Sequence, residues 1–141
     1  MLRKLAWLYT AGFLGIFLIT HTPAFNDANG LSFGLFKIDP IDDIAHLASG
    51  VAGLIVAGFA PRYISLFFKA VGILYGLDAL VGMTMSRGFL DLSVFTAGPA
   101  GADFSARNWA VNLPHIIIAG IALVVGFRSP GTAPKRSARA L

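Results

Sequence analysis

Asp39-Pro40-Ile41-Asp42-Asp43-Ile44-Ala45-His46 opens a segment that carries no acid, lysine or arginine from Ile44 to Ala60. Asp39 suits an N-cap, since its carboxylate can accept from free N–H groups of a first turn. Pro40 suits the first helical position, where no N–H is needed. Asp42 and Asp43 place negative charge at the positive end of the helix dipole. A helix rising 1.5 Å per residue over this length crosses a hydrocarbon core about 30 Å thick. One histidine, His46, lies two turns inside it.

The rest of the chain follows that pattern. Of 141 residues only 13% are charged, about half the soluble average of roughly 25%. Mean hydropathy is +0.74. The absence of cysteine excludes disulfides and thiolate metal sites. The net charge of +4 does not gather into a nucleic-acid patch. The basic residues lie in short segments between apolar runs, as in membrane proteins. The expected fold class is therefore an all-α membrane protein, a bundle of four transmembrane helices. One membrane domain covers 1–127, with spans near 5–20, 40–60, 65–85 and 108–127. A basic cytoplasmic tail, 128–141, is expected to be disordered.

The first run, Leu5 to Thr20, also has the form of a signal peptide, with Thr22-Pro23-Ala24 as its cleavage site and residues 1–24 removed. Three further spans make a retained helix simpler. Ala11 and Gly15, four apart, suggest a small-residue face for close helix contact. So do Ala45, Ser49, Gly53 and Ala57 in the second span, and Gly72 with Gly76 in the third. The segment from Gly30 to Phe36 is expected to lie along the membrane surface with its Phe residues dipped inward. Pro114 frees the carbonyl of Ala110 and predicts a kink in the fourth span. With both termini inside, the cytoplasmic side holds Arg3, Lys4, Arg62, Lys69, Arg128, Lys135, Arg136 and Arg139, and the outer side holds Lys37, Arg87 and Arg107. The positive-inside rule thus predicts cytoplasmic ends in a bacterial inner membrane.

Placing Asp39 on Asn108 puts Asp43 on Asn112, His46 on His115, Gly50 on Ala119, Leu54 on Leu123 and Val56 on Val125. The chain then reads as two similar two-helix halves, related by an axis along the membrane normal. Leu35-Phe36-Lys37-Ile38-Asp39-Pro40 with His46 and Gly50, and Asn108-Trp109 with Asn112-x-x-His115, resemble an uncharacterised family of small bacterial four-helix integral membrane proteins with one histidine helix per half. The resemblance covers about residues 5–127. It implies the architecture and supplies no mechanism. Asp42-Asp43, and Pro114 before His115, depart from the family's pattern.

Ionisable groups inside a bilayer are functional candidates by default. His46, His115 and Asp78 are expected to face the interior of the outer half as a polar cluster, with His21 at its surface. Asp39, Asp42 and Asn108 are expected to cap the two histidine helices. The polar groups read most simply as structural: each histidine hydrogen-bonds a neighbour and fixes the bundle. The protein is then not an enzyme but a structural or accessory membrane component without a cofactor. One alternative is a proton- or ion-coupled transporter using Asp78 and the histidines. The other is haem b held between His46 and His115, or a metal ion on those residues and Asp78. The expected partners are the bilayer and another membrane protein or a second copy, with no nucleic acid. Phosphate-binding glycine loops, nucleophile elbows and H-E-x-x-H are absent.

Overall fold

The computed structural model describes residues 1–128, so the disorder expected of the basic tail lies outside the described residues. Four long helices form the bundle: α1 (Leu2–Thr20), α2 (Pro40–Gly58), α3 (Ile64–Met85) and α5 (Ala106–Arg128). A single-turn helix, α4 (Ser93–Thr96), sits in the loop before α5. All four long helices are long and apolar enough to cross a membrane. Large apolar side chains such as Leu8, Ile44, Leu66, Leu80, Ile117 and Val124 point outward. Such a surface suits lipid, whereas the polar groups turn inward.

α1 packs along α2, and α3 along α5. Aromatic rings join the two pairs. Phe13 of α1 meets Tyr75 of α3 with centroids 4.9 Å apart, and Tyr9 meets Phe68 edge-on at 5.1 Å. Tyr75 and Phe68 are fully buried. Glycines set the approach within each pair. A Cβ at Gly53 would collide with the Thr10 side chain, and one at Gly72 would stand 2.8 Å from the backbone nitrogen of Leu123. The Tyr9 hydroxyl donates to the Ile118 carbonyl at 2.7 Å, tying α1 to α5. At the opposite end from the long loops, Arg3 donates from Nε to the Ala57 carbonyl at 2.6 Å. That cation sits where the α2 dipole is negative.

The buried residues of α2 are Asp43, His46, Gly50, Gly53 and Ala57. Those of α5 are Asn112, Ala119, Ala122 and Gly126. The register that places Asp39 on Asn108 carries the first set onto the second, with His115 facing His46.

Two expectations are corrected, the small-residue face of α1 and the cap of α5. The Ala11/Gly15 face is open, with nothing within 4 Å of a Cβ built on Gly15. α1 packs instead through Ala6, Tyr9, Thr10 and Phe13, whose rings fill the interior and leave the small residues outside. The segment after α1 is a small antiparallel hairpin, pairing Leu31 with Lys37 and Ser32 with Phe36. Its turn holds both Phe33 and Gly34 at positive φ, 54° and 67°, the twist that a tight hairpin turn requires. Asn108 does not cap α5. The helix begins at Ala106, and the Ser105 hydroxyl accepts from the Asn108 N–H at 3.3 Å; serine is a strong N-cap. The helix continues through Pro114.

Asp39 caps α2 as expected, accepting from Ile41 N at 2.8 Å and Asp42 N at 3.3 Å. Asp42 lies in the first turn, where its charge meets the dipole. Asp39→Ala is expected to lower stability by about 1 kcal/mol, read as a lower melting temperature in detergent. Asp39→Ser should restore most of the loss.

Candidate functional site

The polar residues of the bundle meet at the end that carries the two long loops. His46 lies on the second turn of α2. Its Nδ1 faces the Asp42 carbonyl at 3.0 Å, and the Asp42 carboxylate stands 3.5 Å away. A carbonyl only accepts, so Nδ1 carries the proton.

His115 points from α5 toward the same level, with Nδ1 2.7 Å from the Asp78 carboxylate. The other oxygen of Asp78 accepts from Phe89 N at 2.7 Å and Leu90 N at 2.8 Å. Asp78 sits about two turns before the end of α3. The loop after α3 is therefore drawn down into the mouth of the bundle. Asp78 binds three segments at once: its own helix, α5 and that loop.

Tyr75 packs beside both histidines. Its ring centroid is 5.8 Å from that of His46 and 5.3 Å from that of His115. Its hydroxyl donates to Ser49 Oγ at 3.0 Å. The two imidazoles are 5.9 Å apart, centroid to centroid.

Further groups surround this centre. Thr20 donates to Asp43 at 2.8 Å across α1 and α2. In the other pair, Asn112 donates to the carbonyl and side-chain oxygens of Asn108 at 2.9 and 3.0 Å. Asn108 in turn reaches the Asp103 carbonyl at 2.7 Å. Above them opens a cavity of about 420 Å³, lined by Asp42, Asp43, His46, Asn112 and His115 among others, with the hairpin and the loop around Gly88 as its rim.

His46, His115 and Asp78 thus come together, as their sequence positions suggested. His21 does not join them. Its side chain is 55% exposed, and it lies at the rim, 3.8 Å from Asp43. Thr20, Tyr75 and the Phe89 and Leu90 amides were not singled out from sequence. Thr20 and Tyr75 have no sequence signal beyond being polar atoms in apolar helices. Backbone amides have none.

The cluster does not form a metal site as it stands. The facing atoms of His115 and Asp78 are engaged with each other. Among the described residues no three His, Asp or Glu side chains converge for a metal ion.

Fold and site together define a small all-α four-helix bundle, suited by the length and composition of its helices to cross a membrane, with a polar cavity at one end. No family model, curated protein or solved structure matches the chain.

Proposed function

We propose that the protein is a non-enzymatic, multi-pass component of a bacterial inner membrane, an accessory protein whose working feature is a blind vestibule open to the outer side. The carrying observation is the shape of the polar end. The polar lining descends to His46 and His115, and past His46 only an apolar cavity follows, bordered by Tyr9, Phe13, Ile118 and Ile121. Beneath it Phe13 packs on Tyr75, and Tyr9 on Phe68. A blind polar cavity on an aromatic floor favours binding over conduction. Asp78 supports the same reading, because both its oxygens are held by three donors. That arrangement suits a structural tie better than a carrier of protons.

The rest of the proposal is orientation and ancestry. The basic residues put the cavity on the outer face and both ends in the cytoplasm. The shared burial pattern of α2 and α5 supports two related halves and the resemblance to the four-helix family. The bilayer is the principal partner.

The test uses the absence of native cysteine. Val111 lines the cavity, whereas Ile121 faces outward from the apolar part of α5. In intact spheroplasts, Val111→Cys should react with a membrane-impermeant thiol reagent, and Ile121→Cys should not. Reporter fusions at Gly30 and Gly98 should lie outside. A Val111→Cys that reacts only from the cytoplasmic side would overturn the orientation and the vestibule together.

A further inference from the structure

The vestibule has an apolar neighbour. α1 packs on α2 and α5 packs on α3, so α1 and α5 flank a seam, bridged where the Tyr9 hydroxyl donates to the Ile118 carbonyl. A second cavity, of about 270 Å³, opens in that seam. Tyr9 and Phe13 are its buried wall, and Leu8, Ile16 and Ile121 are exposed at its mouth. Gly12 keeps the cleft clear, since a Cβ built there meets nothing within 4 Å. Ile16 and His46 line both this cleft and the vestibule.

The cleft therefore has a polar end and an apolar end. Ile16 lies one turn from the vestibule end of α1, and Leu8 lies about 12 Å deeper at 1.5 Å per residue. A lipid of the outer leaflet stands the same way, head outward and chain toward the midplane. With each methylene taken at about the 30 Å³ of a water, the cleft holds roughly nine of them, enough for one chain and not for two. His46 marks where the head falls. Its Nδ1 faces the Asp42 carbonyl, and its Nε2 has no hydrogen-bond partner among the described residues. Nε2 accepts in a neutral ring and donates in a protonated one, and a hydroxyl answers either. His46 lies on the second turn of α2, below the rim, so a compact head is needed to reach it while the chain stays in the seam.

We propose that the seam between α1 and α5 seats a single-chain amphiphile from the outer leaflet, with its hydrocarbon chain between Leu8 and Ile16 and a small hydroxylated head beside His46. An apolar slot with one polar group at its end is the usual build of a small-ligand site. The placing of the head rests on the vestibule reading above.

The experiment is photo-crosslinking of the full chain in phosphatidylcholine nanodiscs. The probe is 1-monolauroylglycerol with a diazirine near the end of its chain, and mass spectrometry locates the label. Label is expected on Leu8, Gly12, Ile118 or Ile121, and excess unlabelled monolauroylglycerol should displace it. Dodecane, the chain without the head, should compete at least about tenfold more weakly, the loss of one or two hydrogen bonds. Gly12→Phe fills the cleft and should cut the displaceable label at least about tenfold. Gly120→Phe puts the same bulk on an open face away from the cleft and should leave the label unchanged. Both variants must melt cooperatively, and Gly12→Leu replaces Gly12→Phe if that variant fails to fold. Label spread over the lipid-facing sides of all four helices, label that excess monolauroylglycerol does not displace, full labelling of the Gly12 variant, or equal competition by dodecane would overturn the proposal. Reaction of Val111→Cys from outside together with undisplaced label would leave the vestibule standing and reject the lipid site alone.

Discussion

Asp78→Ala is expected to destabilise the bundle by at least about 3 kcal/mol and to release the loop that follows α3. Three donors converge on this carboxylate: His115 Nδ1 and the amides of Phe89 and Leu90. Asp78 is 7% exposed, so water cannot readily replace it. Each buried donor left without a partner costs about 1–3 kcal/mol. Relief from burying a carboxylate offsets part of that sum. Asp78→Asn separates the contributions. Its amide oxygen can still accept from the two backbone amides. Its NH₂ faces His115 Nδ1, which must then shed its proton to Nε2 to accept. The expected loss is about 1–2 kcal/mol, with the loop still seated. Thermal unfolding in detergent reads the stability, and limited trypsin cleavage at Arg87 reads the loop. An alanine variant that melts like the parent, with Arg87 still protected, would show that the tie carries nothing.

The architecture was legible because helix signals are local. Asp39-Pro40 caps α2 through groups within one turn, and an uncharged run of sufficient length fixes a span wherever it falls. The pairing of His46 with His115 was legible because both hold the same place in the register that sets Asp39 on Asn108, although α5 begins before Asn108. Other features depend on contacts distant in sequence. Asp78 was visible as an intramembrane acid, but its amide partners carry no sequence signal. The cap of α5 was misplaced onto Asn108 because Ser105 and Arg107 read as loop residues. The small-residue argument failed for Ala11 and Gly15 and held for Gly72, since spacing alone does not say which face turns inward. In α1 the bulk of Tyr9 and Phe13 decided it.

That contrast between glycines gives the other large effect, on the seam between α3 and α5. A Cβ at Gly126 would lie 2.7 Å from the backbone nitrogen of Lys69 and 3.1 Å from the Phe68 carbonyl carbon. At Gly72 it would lie 2.8 Å from Leu123 N. A side chain can rotate away from such an intrusion, but backbone cannot. Even alanine must therefore push the helices apart and loosen the contacts along them. Gly126→Ala and Gly72→Ala are each expected to cost about 1–3 kcal/mol, the usual range for overpacking. Moving Gly126 also strains the bond from Ser65 Oγ to its carbonyl, 2.8 Å in the native bundle. Gly12 and Gly120 are the controls, because a Cβ there meets nothing within 4 Å. Alanine at those sites should be neutral or gain up to about 1 kcal/mol from helix propensity. The double variant sharpens the test. Once one alanine has parted the helices, the second finds room, so the pair should cost less than the sum of the singles. Melting temperatures of the four single variants and of the Gly72/Gly126 double in one detergent decide the matter. Losses at Gly12 and Gly120 as large as those at Gly72 and Gly126 would mean that α3 and α5 do not meet along this seam.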